Sequence, residues 1–358
     1  MYFSRNMLDM NNNFWQELSK KKKPFFALAP MHDVTDIATR QMLVKYGKPD
    51  VLFTEFVASD GLMDKKGRQV LLKTLRFFEN EHPIVAQFFG AKPENFRECA
   101  KIARELGFDG IDINMGCPDK SVVEQGAGAA LIKNPKRARE IIQATKEGAG
   151  DLPVSIKTRI GFSQNEIETW LPEILAEKPA AITIHGRTKK QAFVGGADWD
   201  VIKRAAEIAK GSGVVIIGNG DVKSIKDGIL KARKAKVQGV MAGRAILGNP
   251  WFFNRKKKIE KIPLKERLEA MIEHARIFEK ELKGVHPVKS PRSGVAKGEF
   301  NRVKGYDVIK KHYATYARGF DGAKELRGEL MQTKNAKQAE RVVEKFLKEY
   351  NEKVISKK

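Results

Sequence analysis

A chain of 358 residues can bury one large domain and a smaller one. Its 67 Lys and Arg against 44 Asp and Glu leave a formal charge of +23, more than solubility requires, which points to a polyanionic partner gripped through phosphates. A densely charged, solvated surface accounts for the same composition. Two cysteines exclude a disulfide scaffold and a cysteine-rich metal cluster. No apolar run approaches the roughly 20 residues that cross a bilayer, and no signal-peptide core follows Lys20–Lys23. A cytoplasmic protein without membrane association is expected.

Residues 1–23 read as a polar, basic leader. Eight apolar or β-branched runs follow: Phe25–Ala29, Val51–Thr54, Ile84–Phe88, Gly110–Ile113, Val154–Lys157, Ala181–Ile184, Val214–Gly218 and Val240–Gly243. The segments between them carry helix signals, such as proline at the first helical position in Lys92-Pro93-Glu94 and Asn134-Pro135-Lys136. Buried strands alternating with amphipathic helices predict repeated βα units and a parallel sheet. Eight units in this length predict an α/β fold, a closed (β/α)8 TIM barrel over residues 24–257. Beyond Pro250 the pattern changes. From Trp251 onward 28 Lys and Arg stand against 15 Asp and Glu. Residues 258–305 read as a helix (262–283) followed by a long basic linker rich in Gly, Pro and Ser. Residues 306–358 read as a small basic helical domain.

In such a barrel, groups that bind and react sit where strands end. Those ends read Pro30-Met31-His32, Glu55, Gln87, Asn114 with Cys117, Lys157, His185 with Arg187, Asn219-Gly220-Asp221, and Gly243-Arg244. The last two sets place glycines and an arginine at the usual phosphate corner, where backbone N–H groups approach an anion and a guanidinium completes its charge. The same glycines also serve as plain turn residues. Lys157 in a barrel core wants an anionic partner, or else snorkels to the rim. Gln87 has the chemistry to hydrogen-bond the edge of a heterocycle. His185 suits a base, a ligand or a hydrogen-bond donor, but no HxH or HExxH spacing accompanies it, so a metal centre is not expected.

The run Gly110-Ile-Asp-Ile-Asn-Met-Gly-Cys-Pro118 sets a thiol at the end of a buried strand. With an ordinary pKa near ~8.5, a cysteine there can donate a proton at neutral pH without special tuning; a nucleophilic role needs a histidine partner. Cys99, inside a helical stretch, reads as an inert buried thiol.

At this point the chain resembles the tRNA-dihydrouridine synthases, flavin enzymes of the (β/α)8 class. The matching segments are Ala29-Pro-Met-His-Asp-Val-Thr-Asp36, Asp112-Ile-Asn-Met-Gly-Cys-Pro118, Gly126-Ala-Gly-Ala-Ala-Leu131, Val154-Ser-Ile-Lys-Thr-Arg159, Thr183-Ile-His-Gly-Arg-Thr188, Gly218-Asn-Gly-Asp221 and Met241-Ala-Gly-Arg244. They occur in family order across residues 25 to about 255. The resemblance implies that FMN is held by Pro30, Met31, His32, Gln87, Lys157, His185, Asn219, Gly220, Asp221, Gly243 and Arg244. It implies that Cys117 protonates C5 of a uracil whose C6 receives hydride, with NADPH as reductant and tRNA as substrate. The C-terminal segment around Lys310–Tyr316 resembles the family's tRNA-binding domain more weakly than the barrel resembles its counterpart. The chain departs from the family at His32-Asp33 and in a longer Gly284–Gly305 loop. Other classes share parts of the pattern: a flavin reductase of a small pyrimidine, similar to dihydroorotate dehydrogenase, and an RNA-binding or chaperone protein on a barrel scaffold. A monomer is the expected state.

Overall fold

Alternation of side chains along a strand decides what the barrel interior holds. A computed structural model describes residues 13–257, 259–282 and 304–356. Among these residues nine parallel strands occur: β1 Phe25–Leu28, β2 Leu52–Phe53, β3 Val57–Ala58, β4 Ile84–Phe89, β5 Gly110–Met115, β6 Val154–Arg159, β7 Ala181–His185, β8 Val215–Asn219 and β9 Gly239–Ala242. Their order is β1-β9-β8-β7-β6-β5-β4-β2. A parallel bridge from Ala27 to Val51, with Leu28 N donating to Val51 O at 3.0 Å, closes the ring. β2 pairs with the start of β4 and β3 with its end, so these two fragments form one interrupted stave. Eight staves result, one for each predicted run.

The inward positions divide into two halves. At the lower end Phe25, Ala27, Val51, Phe53, Val85, Ala181, Val215, Ile217 and Met241 make one apolar cluster. Further along, toward the strands' C-terminal ends, stand Gln87, Lys157, His185 and Asn219. The apolar half stiffens the base, and the polar half leaves a mouth at the strands' C-terminal ends.

The stretch read as a polar leader differs from expectation. Asn13 caps a short helix, Phe14–Ser19, by accepting from Gln16 N. Trp15 is fully buried, its ring 5.9 Å from Phe25 and 6.2 Å from Phe53. That helix plugs the barrel floor, and the rest of the leader, residues 1–12, lies outside the described residues.

The C-terminal helices share one core. Leu268, Met271, Ala275 and Phe278 of the helix Leu264–Leu282 pack with Ile309, Tyr313, Tyr316, Leu326, Leu330 and Val343. The same cluster includes Ile37, Ala38 and Met42 of the helix Ile37–Gly47, the first helix after β1. The helix Leu264–Leu282 thus shares one core with the helices beyond residue 306, and that core includes residues of the first barrel helix. The long loop read at 284–305 lies outside the described residues except for Lys304 and Gly305. Among the described residues no helix is long and apolar enough to cross a membrane.

Candidate active site

The loop after β5 holds Cys117 through its backbone. Asn114 Oδ1 accepts from Gly116 N at 3.1 Å and from Cys117 N at 2.9 Å. Arg159, at the end of β6, donates Nε to Gly116 O at 2.6 Å and Nη1 to Thr188 O and Ala192 O. Ala129 N donates to Cys117 O at 3.0 Å. A Cβ on Gly128, whose φ is +59°, would lie 2.9 Å from that same carbonyl, so glycine is required there. The thiol is half-buried, and burial pushes its pKa up despite the opposing pull of Arg159 and Lys157. It is a protonated acid at neutral pH, not a thiolate. Cys99 is fully buried in the helix Pro93–Glu105 and burial raises its thiol to about 12, as befits an inert core residue.

Beneath Cys117 the floor of the mouth is a hydrogen-bonded row. Ser155 Oγ donates to Asp112 Oδ1 at 2.6 Å, and Gln87 Nε2 to Asp112 Oδ2 at 2.6 Å. Asn114 Nδ2 donates to Gln87 Oε1 at 3.0 Å. Asp112 is fully buried, and burial lifts its carboxyl to about 6 against the pull of Ser155, Gln87 and Lys157.

Cations dominate the rest. Lys157 Nζ makes no hydrogen bond or ion pair among the described residues, and burial, then Arg159, brings its ammonium down to about 8. Arg187 Nη1 donates to His185 Nε2 at 3.3 Å, which leaves the ring proton on Nδ1. Burial and the charges of Lys157, Arg159, Arg187 and Arg244 hold His185 well below its ordinary value. It is a neutral imidazole, able to donate to an acceptor but not to carry charge.

At the expected phosphate corner, Gly220 has φ +125° and Asp221 φ +48°. The Asp221 carboxylate accepts from Arg187 Nη2 at 2.6 Å, Arg244 Nη2 at 2.8 Å and Ala197 N at 2.8 Å. Its side chain is thus engaged with the two arginines, and what this turn offers an anion is backbone and guanidinium. Asn219 Nδ2 donates to Met241 O at 2.9 Å, tying β8 to β9. A Cβ on Gly243 would sit 3.3 Å from Met31 Sδ, so the first and last loops meet. A Cβ on Gly220 would sit 2.5 Å from Ala197 Cβ and 3.1 Å from the His185 ring. Gly220→Ala is therefore expected to lower stability by about 1–3 kcal/mol in urea unfolding.

The structure brings Gln87, Cys117, Lys157, His185, Asn219, Gly220 and Asp221 to one mouth, with Arg244 at its rim. Pro30 is buried behind β1 and Met31 closes one side. His32 faces outward, its ring nitrogens 3.7 Å from Asp33 and 3.8 Å from Glu55. Two features escaped the sequence. Arg159 is buried and braces the Cys117 loop. Lys304 Nζ lies 2.8 and 2.9 Å from the Glu55 oxygens, 3.3 Å from Asp33 and 3.9 Å from Asp36. His32, Asp33 and Glu55 have the spacing of metal ligands, yet the cation seated against both carboxylates is this ammonium.

A closed α/β barrel with a protonated thiol and several cations at its strand ends defines the class: a (β/α)8 protein whose functional groups gather at the C-terminal mouth. A family model described as dihydrouridine synthase (Dus) matches residues 27–351. A protein named probable tRNA-dihydrouridine synthase from Staphylococcus aureus strain Mu50 is 37% identical over 350 residues, 96% of this chain and 99% of its own length. Probable tRNA-dihydrouridine synthase 2 of Bacillus subtilis strain 168 is 37% identical over 346 residues, covering 95% and 98%. The chain belongs to the dihydrouridine synthase family. Among solved structures, 6-hydroxypseudooxynicotine amine oxidase from Pseudomonas geniculata N1 shares the fold with a TM-score of 0.50 at 13% identity, over 67% of this chain and 49% of that one.

Proposed function

We propose that the enzyme reduces uridines of tRNA to 5,6-dihydrouridine, with FMN bound in the barrel mouth and NADPH as reductant. The observation that carries the reading is a thiol kept protonated by burial, anchored through its own N–H, near the charges of Lys157 and Arg159 at the strand ends. The residues fit a flavin phosphate and ring. Lys157 is an ammonium without a bonded partner among the described residues, Gly220 leaves room where a side chain would strike Ala197 and His185, and Arg244 and Arg187 flank the corner. FMN held there would supply the hydride that goes to C6 of the uracil, the electrons coming from NADPH.

The chain's own residues do the rest. Cys117 gives its proton to C5 as the C5–C6 double bond is lost, and solvent later returns a proton to the sulfur. Lys157 and neutral His185 offer N–H donors to the flavin or to the uracil carbonyls. Asn219, Gly243 and Met31 shape the wall. The base must leave its stack to enter, at a cost of a few kcal/mol, and a polycationic surface offsets that through phosphate contacts. A cytoplasmic monomer fits a substrate of this size.

The test is direct. Purified protein is supplied with FMN and NADPH, and dihydrouridine is mapped in tRNA taken from cells lacking the gene. Uptake of FMN with appearance of dihydrouridine at defined positions is expected; a chain that takes up no flavin sinks the proposal.

A further inference from the structure

Asp112 is a fully buried carboxylate beneath the mouth that this chemistry leaves without a task, and its surroundings give it one. Both its oxygens accept: Oδ1 from Ser155 Oγ and Oδ2 from Gln87 Nε2. A carboxylate can only accept, so it decides which end of the Gln87 amide faces it. With its NH2 turned to Asp112, Gln87 presents its oxygen to Asn114 Nδ2. That in turn leaves the Asn114 oxygen, and not its NH2, toward the backbone N–H groups of Gly116 and Cys117. If the Asn114 amide were reversed, its NH2 would face the N–H of Cys117 and the loop would lose both anchors; a reversed Gln87 would set its NH2 against that of Asn114 and favour the same reversal. Three residues on two adjacent strands thus form a polarised row whose sense is set at one end and read at the other. The strand register makes the row possible, because Gln87 and Asp112 are lateral partners and Asn114 stands two residues above Asp112.

We propose that Asp112 is a positioning residue: its ionised carboxylate orients the Gln87 and Asn114 amides and thereby holds the Cys117 loop in register with the mouth. Asp112 touches neither Cys117 nor a substrate and acts through the two amides. Of the elements packed around it, β6 contributes one charged group, Lys157, and β4 contributes the uncharged Gln87. On protonation the acid gains an O–H that must find an acceptor. The oxygen that carries the proton is no longer a pure acceptor: on Oδ2 it opposes the Gln87 NH2 and the row loses its sense, and on Oδ1 it displaces the Ser155 hydroxyl proton. Burial places that titration at about 6. The Ser155 hydrogen bond favours the ionised form, so its removal must move the titration to higher pH.

The inference rests on the reading of Cys117 as the proton donor, but it can be read without turnover. The chain without added cofactor is treated with iodoacetamide, and each cysteine is followed by peptide mass spectrometry. Cys99 is fully buried and reports unfolding; Cys117 reports its loop. For Asp112→Asn the expected result is faster alkylation of Cys117, by about tenfold or more, with Cys99 still protected. Turnover in the wild type should fall on an acid limb near pH 6. That limb should vanish in Asp112→Asn, whose residual rate is low at every pH. In Ser155→Ala it should shift upward.

An Asp112→Asn protein with wild-type labelling of Cys117 overturns the proposal. So does an acid limb that stays in place in Ser155→Ala, which remains decisive if Asp112→Asn exposes both cysteines by unfolding. If Cys117→Ala proves fully active, the reading of the thiol fails, while the labelling result still decides whether Asp112 sets the loop.

Discussion

Cys117→Ala forms dihydrouridine about 10²–10⁴-fold more slowly than the wild type, the usual contribution of a positioned general acid. The change removes the sulfur and little else. The Cys117 N–H bond to Asn114 and the carbonyl bond from Ala129 are backbone contacts that alanine keeps. The loop therefore stays in place, and uptake of FMN, followed by visible absorbance, should match the wild type. Cys117→Ser should be nearly as slow, since a hydroxyl is a far weaker acid than a thiol. The pH dependence follows from the thiol's environment. Burial raises its pKa, so the protonated form persists above the ordinary cysteine range and is lost only as pH climbs through the raised value. Turnover should hold to correspondingly high pH. Near-normal dihydrouridine formation by Cys117→Ala, measured by mass spectrometry of the product tRNA, would exclude the thiol as the acid.

The barrel was legible because parallel strands covered on both faces must be apolar at nearly every position, and eight such runs stand out between polar helices. The second run misled most, for Val51–Thr54 shortens to Leu52–Phe53 and a further fragment, Val57–Ala58, which no predicted run contained, completes the stave. The site was legible as a set of polar strand ends, but their pairing was not. That Gln87 meets Asp112 follows from strand register, which no single segment encodes. Asp221 was legible as part of a phosphate corner, whereas its engagement with Arg187 and Arg244 depends on three loops meeting. The plug helix was hidden by its neighbours, because one buried Trp15 in a short amphipathic turn gives little periodic signal amid Asn and Lys. Lys304 was least accessible of all. It lies 249 positions from Glu55, at the end of a stretch whose composition speaks only of a loop.

Lys304→Met should be the most damaging single change to stability, by about 3–5 kcal/mol at neutral pH, because it breaks a buried ion cluster from one side. Lys304 is nearly inaccessible, as are Glu55 and Asp36, and a methionine of similar length fills its space without its charge. In the wild type burial pushes Glu55 up, but Lys304 and then His32 outweigh it, so the carboxyl lies below its ordinary value. Asp33 is also held low, burial being outweighed by His32 and Lys304, whereas burial keeps Asp36 raised. The sign then follows. Groups held low in the folded state contribute stability above the ordinary carboxylate range and lose it as pH falls through their folded values. Without Lys304, the same carboxylates are buried with too little positive charge, and their folded values rise. The penalty is then full above those raised values and is relieved as pH falls through them. Urea unfolding should find a large deficit for Lys304→Met at pH 8 and a distinctly smaller one at pH 5.5. The lesion also reaches the mouth, because Glu55 accepts from Asp33 N at 2.6 Å and Asp36 caps the helix Ile37–Gly47, and both flank Met31. Equal deficits at the two pH values would mean that Lys304 stabilises by packing alone, and the cluster would not be the electrostatic tie between the helical unit and the barrel.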